Sequence, residues 1–401
     1  MSVSAPRTIQ GSLPTIPTTR NEARSVFNSL IHGTPGRMRL LGALAVVAAL
    51  VLGAVCAQAL IGSRAAADRA ATNIAQVVRA QSLEVDLLRA DALATNAFLV
   101  GGLEPSEQRS AYDQAMTAVA EGIAEAASAQ PADGDALAAL SVKVQTYATL
   151  VEQARSNNRL GLPVGASYLT QASAGLRSDA MPILDAIVTA NENRAKAEFG
   201  RADSTNLLFV GVAAVVAIIG VGVWLARRTH RYLNAPLTIA VVLLALGLFV
   251  ALSTISTVGT TAADVRTNEY RDTLRLAQVS TAANDARANE SLTLIRQGSG
   301  QAYELAWQQN AKTIEQALAG YNDPLLEEWQ AYASGHKQIR QLDDNGTWDR
   351  AVALATSTKP DAPGASFAKF DQDVAAQRDA ASHGAIERID GLGGTAPAYA
   401  V

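Results

Sequence analysis

The side chains best suited to chemistry in this chain are its histidines, His32, His230, His336 and His383. They fall in four different segments. None has a second histidine or cysteine at the i+3 or i+4 spacing that brings two metal ligands to one helix face. His336 lies between Tyr332 and Ile339 on an inward stripe, the register of a hydrogen-bonded core histidine rather than of a ligand or a pH switch. No serine, threonine or cysteine stands in a nucleophile elbow, and no glycine-rich phosphate loop is present. Gly391-Leu392-Gly393-Gly394 is not followed by helix-opening residues. The only cysteine, Cys56, sits in an apolar run behind Val55, a residue larger than lipid-attachment sites prefer, so it reads as a small membrane hydrophobe. The expectation is a protein that is not an enzyme and uses no cofactor and no metal.

Binding groups are easier to name. The stretch 157–165, NNRLGLPVG, gathers Asn157, Asn158, Arg159, Gly161 and Pro163 in one loop. Asparagine and glycine there end one helix and Pro163 helps to start the next. That loop and 101–106 would share one tip of a helical bundle; 298–300 and 343–347, with Asn345 and Gly346, would form a matching tip in the second half. Exposed loops on a rigid scaffold are where partners bind. Asn157, Asn158, Arg159, Gly161, Pro163, Asn345 and Gly346 are therefore the candidate partner-binding residues. Arg69, Arg79 and Arg89 follow one another along one helix and could hold an acidic ligand, since a guanidinium pairs a carboxylate bidentately. Solvated surface arginines are the simpler account of them.

The elements that must position these groups are helices. Residues 40–61, 207–226 and 236–255 are apolar runs of about 20 residues, the length that crosses a hydrocarbon core. Arg37 and Arg39 flank the first run; Arg227, Arg228 and Arg231 lie between the other two. The positive-inside rule then places the tail 1–39 and the loop 227–235 in the cytoplasm, with 62–206 and 256–392 outside. The tail is rich in Ser, Thr, Pro and Gly and reads as flexible. Ionisable residues, which transport pathways need, do not occur within the three runs.

Both outer segments show only helical periodicity. Ile74, Val78, Gln81, Val85, Leu88, Ala92, Thr95 and Leu99 alternate by four and three, a coiled-coil seam that Gly101-Gly102 ends. At about 1.5 Å per residue that helix would reach roughly 55 Å from a membrane. Tyr112 to Ala126, Leu137 to Ala154 and a fourth helix kinked at Pro182 supply three further stripes, the pattern of an antiparallel four-helix bundle. The second segment repeats the programme. Asp91-Ala92-Leu93-Ala94 matches Asp285-Ala286-Arg287-Ala288, and Leu140, Val144, Tyr147, Val151, Ala154 and Gly161 match Leu325, Trp329, Tyr332, His336, Ile339 and Gly346 without a gap. Agreement in order, spacing and loop position indicates a tandem duplication. The same register sets Leu207 opposite Gly393, so 393–401 reads as the start of a fourth transmembrane helix that this chain lacks.

Composition agrees with long helices packed through small side chains: 49% of residues are hydrophobic but only 5% aromatic, and 17% charged. The net charge of −4 gives no footprint for nucleic acid.

The layout resembles the extracytoplasmic four-helix-bundle sensing modules of bacterial chemoreceptors and sensor kinases. The tandem arrangement, the stretch YATLVEQARSNNRLGLPVGASYLTQAS at 147–173 and the arginine-rich tail resemble, more narrowly, actinobacterial membrane proteins of the GlnX type. This resemblance implies an all-α, multi-pass protein of the cell membrane with tandem extracytoplasmic bundles. It also implies a role as a transmembrane sensor or adaptor, linking an extracytoplasmic amino-acid-binding lipoprotein to a cytoplasmic Ser/Thr kinase. Two alternatives stand beside it: direct small-ligand sensing by the bundles, and an envelope scaffold or transporter accessory without signalling. The lipid bilayer is a further partner, and sensor bundles of this kind often form homodimers.

Overall fold

The computed structural model describes residues 34–201, 205–229, 239, 241–253 and 269–394. Most of the expected tail, the loop segment 230–238, the tail end 395–401 and the histidines His32 and His230 lie outside the described residues. Every regular element among the described residues is helical. The chain divides into two compact units, one of residues 1–61 with 204–253 and one of 62–203 with 254–401.

The first unit holds the start of α1 (Thr34–Val100), together with α6 (Thr205–Thr229) and α7 (Val241–Ser253). One helix among the described residues is long and apolar enough to cross a membrane. It is α1, whose apolar stretch has a mean hydropathy of 2.5 and is almost entirely uncovered by the rest of the chain. Leu44, Val47 and Leu50 point outward there, as lipid-facing side chains would. The two later runs form shorter apolar helices, Phe209–Trp224 and Val241–Ser253. Of the third expected span, residues 236–238, 240 and 254–255 lie outside the described residues. Gly211 lets α6 approach α7: a Cβ at that position would come within 2.6 Å of the Leu248 side chain.

The second unit holds two cores. The first is built by α1, α2 (Ser106–Ala129), α3 (Gly134–Arg159), and α4 (Val164–Gly175) with α5 (Met181–Arg201). Leu83, Leu87, Val119, Leu140, Tyr147, Leu169 and Leu184 are among its buried members. The second is built by α8 (Glu269–Ile295), α9 (Gln301–Leu318), α10 (Asp323–Asp344) and α12 (Pro363–Gly394), around Trp307, Trp329, Tyr332, Phe367 and Phe370. The short α11 (Trp348–Ala355) packs on α10.

Two smaller clusters tie the cores together. Ile74 and Val77 of α1 meet Ala195 of α5 and Tyr270 of α8; Leu99 of α1 meets Leu294, Ile339 and Ala351. The coiled-coil seam expected on α1 is therefore split. Its ends, Ile74 and Leu99, face the second half, while Leu83, Leu87 and Ala94 on the neighbouring face fill the first core. Helix α1 is buried on two sides, so one stripe of period 3.5 describes only part of its packing.

Helix breaks follow the sequence. Val100 ends α1 ahead of Gly101 and Gly102, both left-handed. The kink expected at Pro182 is a π-helical segment, Leu176–Ala180, between α4 and α5. Proline has no N–H to close an α turn, and the wider turn before it absorbs the missing bond.

Candidate functional site

Asp91 on α1 is fully buried, which a carboxylate tolerates only with partners. It has three. Tyr147 Oη donates at 3.3 Å, Ser173 Oγ at 2.6 Å and Arg177 Nη1 at 2.9 Å. Arg177 comes from the π segment, and its Nε donates to Asp285 of α8 at 2.8 Å. Asp285 in turn accepts from Asn310 of α9 at 2.6 Å and from Asn289 at 3.0 Å. One guanidinium thus joins two aspartates that the repeat pattern had already matched to each other. Burial opposes the charge on Arg177, but the two aspartates outweigh it and hold the group firmly protonated. Glu84, two turns earlier on the same face of α1, goes the other way: burial first, then Asp185 and Asp285, push its carboxyl up to about 7.

Beside this bridge is a cavity of about 320 Å³ between α1, α8, α12 and the segment after α11. Arg89, Leu93, Asn284, Arg287, Phe367 and Asp371 line it. Arg89 faces Asp371 at 3.6 Å. Arg287 is already held by Glu290 and by the Ala355 carbonyl at 3.0 Å. Of the three arginines singled out on α1, Arg89 lines this cavity. Arg69 pairs with Glu198 at 2.8 Å and Arg79 with Glu125 at 2.9 Å.

A second polar cluster lies deeper in the second half. His336 is buried, stacked on Trp307 with ring centroids 3.6 Å apart. Its Nδ1 faces Glu290 Oε2 at 2.8 Å and its Nε2 faces Glu304 Oε2 at 3.2 Å. Tyr332 Oη also donates to Glu290, at 3.2 Å. Burial would lower the basicity of His336, but the two carboxylates raise it above its ordinary value. Burial pushes Glu290 up, and Arg287 with His336 brings it below the usual carboxylate range. His336 has the buried, hydrogen-bonded place expected from its stripe, with more charge around it than periodicity could reveal. Among the described residues no three His, Cys, Asp or Glu side chains converge as a metal site requires.

The loop residues occupy two separate tips. Asn157 and Asn158 cap α3 through their carbonyls: Leu162 N donates to Asn157 O at 2.9 Å and Gly161 N to Asn158 O at 3.0 Å. Asn158 Nδ2 also donates to Phe98 O at 2.9 Å, tying the tip to the end of α1. Arg159, Gly161 and Pro163 are exposed. At the other tip Thr347 N donates to Leu342 O at 2.9 Å and Gly346 N to Asp343 O at 2.9 Å, the same pair of bonds at the matching positions. Asn345 and Gly346 are exposed there, and Gly346, Asp343 and Asp344 border an open cavity of about 800 Å³ with Gly298 and Gly300. The structure does not bring the Asn157–Pro163 set together with Asn345 and Gly346.

The residues that periodicity missed are Arg177, Asn284, Glu290 and Asp371. Polar side chains inside an apolar helix face were their only signal, and the match of Asp91 with Asp285 was the nearest pointer.

Residues 66–200 match the family model Sensor_actino, described as an actinobacterial sensor domain. The match takes in the first core, Asp91, Arg89 and the π segment with Arg177. No curated protein and no solved structure matches the chain. This region is thus similar to a sensor domain, it is all-helical, and the apolar helix near the N-terminus is compatible with a membrane protein.

Proposed function

We propose that the chain is a non-enzymatic transmembrane sensor or adaptor of the cell membrane. Tandem helical modules, 62–206 and 256–392, stand outside, and three spans carry the chain across. The outer modules report the state of an extracytoplasmic amino-acid-binding lipoprotein, and the signal passes to a separate cytoplasmic partner, a Ser/Thr kinase. The observation that carries this proposal is the continuity of α1, which runs unbroken from Thr34 to Val100. The same helix contains the one described stretch long and apolar enough to cross a membrane and buried groups of the sensor-like segment. Packed helices shift between discrete arrangements by an ångström or two, and an unbroken helix delivers such a shift along its whole length. The match of 66–200 to a sensor-domain family supports the sensing part.

The test is crosslinking in native cells followed by capture of the full chain. Joint recovery of a solute-binding lipoprotein and a cytoplasmic Ser/Thr kinase is the expected result. Recovery of neither overturns the adaptor role.

Direct sensing of a small molecule is the second reading. The cavity beside Arg89, lined by both charged and apolar side chains, favours it over a scaffold without signalling.

A further inference from the structure

We infer that the cavity between α1, α8 and α12 is a binding site for a small zwitterion, a molecule carrying one ammonium and one carboxylate on a compact apolar frame. This deepens the sensing role above by giving the chain a ligand of its own.

Size comes first. About 320 Å³ lies at the low end of small-molecule cavities, which run from roughly 300 to 1,000 Å³. Leu93 and Phe367 are apolar side chains in its lining. That suits a short hydrocarbon group and excludes a nucleotide or a sugar chain.

Charge comes second. Arg287 lines the cavity but is already paired with Glu290. That leaves Arg89 and Asp371 as the opposed charges at the cavity. They stand 3.6 Å apart, beyond the 2.7–2.9 Å typical of a charge-assisted hydrogen bond. The Arg89 side chain is half exposed and that of Asp371 only 12% exposed. A ligand with both charges can replace this loose pair by two close ones, carboxylate on Arg89 and ammonium on Asp371. A simple anion would sit against Asp371 without compensation, and a simple cation would do the same to Arg89.

The orphan acceptor comes third. Asn284 is 1% exposed and lines the cavity. Its amide nitrogen is committed to Ser280 O and to Asp371 Oδ1, both at 3.0 Å, so the remaining amide atom is the acceptor. That oxygen, Asn284 Oδ1, has no hydrogen-bond partner. A buried acceptor left unsatisfied costs free energy. An ammonium held by Asp371 brings donors to that side of the cavity, and Asn284 Oδ1 takes one of them. Anion binding would leave the oxygen unsatisfied.

Place comes last. The cavity is walled by α1 from the sensor-like segment and by α8 and α12 from the second half. A bound zwitterion would therefore clamp the two halves together, close to where Arg177 already joins them.

The test uses the full chain in lipid nanodiscs and equilibrium dialysis with radiolabelled valine and glutamine. The comparison probes are isovalerate, which is valine without its ammonium, and isobutylamine, which is valine without its carboxylate. The expected result is saturable binding of at least one zwitterion, with both single-charge analogues at least tenfold weaker. Arg89→Gln and Asp371→Asn should each weaken binding at least tenfold. Arg89→Gln changes a half-exposed side chain, so the fold is retained and the loss is read as lost contact. No saturable binding of either zwitterion, equal binding of isovalerate or isobutylamine, or unchanged binding in Arg89→Gln each overturns the site. None of these outcomes depends on partner capture, so the adaptor role stands or falls separately.

Discussion

Glu84 and His336 both hold their protons more tightly in the folded chain, and with Asp86, raised chiefly by burial, they shape how stability should vary with pH. Glu84 titrates near 7 in the folded chain against 4.5 ordinarily, because burial, Asp185 and Asp285 all disfavour its charge. His336 is raised above 6.5, since Glu290 and Glu304 face its two ring nitrogens and favour the imidazolium. Arg287 and Arg340 approach the same carboxylates from the far side, and Tyr332 donates to Glu290. In both cases the folded state holds its proton more tightly than the unfolded chain. Stability from such groups is complete below the unfolded value and is lost as pH rises through the folded one. Glu84 therefore loses its contribution between 4.5 and about 7, and His336 loses its own from 6.5 upward. Glu290 and Glu304, both lowered, act oppositely and only below 4.5. The apparent unfolding midpoint of the full chain in nanodiscs should fall from about pH 5 to about pH 8, and Glu84→Gln should flatten the lower part of that fall. A midpoint that climbs with pH would show that other groups control the balance.

At the level of elements, the loops after α3 and α10 are the same device built twice. Gly161 and Gly346 both have left-handed φ, +68° and +76°, and both precede a residue whose N–H returns to the helix end. A side chain there meets the following carbonyl oxygen and costs about 1–2 kcal/mol. Gly161→Ala and Gly346→Ala should each lower stability by about 1 kcal/mol. Gly134, at the start of α3 with φ −55° and open space around its Cα, is the internal control. Gly134→Ala should be neutral or stabilising by a few tenths of a kcal/mol. Thermal unfolding of the three variants checks this, and an equal loss from all three would count against the conformational account. These turns were legible in the sequence because Asn, Gly and Pro act locally. The stripes on α3 and α10 were legible too, since Leu140, Tyr147 and Val151, and Leu325, Trp329 and Tyr332, each face a single core. Helices α1 and α8 were harder, because each is packed on two sides and their polar residues face one another across the molecule. Asn284, Arg287 and Glu290 look like an ordinary polar face until a partner helix covers them.

At the scale of the second unit, Arg177 decides whether the two halves behave as one body. Among the described residues two small clusters join them, one around Ile74 and Tyr270 and one around Leu99 and Leu294, and Ile295 packs against the first core. The guanidinium of Arg177 reaches an aspartate on each side, with the Asp91 end fully buried and its own side chain 29% exposed. Removing one partner of a buried ion pair costs about 3–5 kcal/mol, because the other charge stays behind without compensation. Partial exposure of Arg177 puts the expected loss for Arg177→Met near the lower end, about 3 kcal/mol. The more telling quantity is where the loss is felt. If Arg177 couples the halves, hydrogen exchange in the full chain should speed up both around α4 and α5 and along α8 near Asp285. Asp91→Asn and Asp285→Asn should also fail to add in the double variant, since each changes the same guanidinium. Exchange that rises only in the first half, with the two aspartate variants strictly additive, would mean that the halves are separate modules. In that case a ligand clamped between α1 and α12 could not move α8 through this bridge.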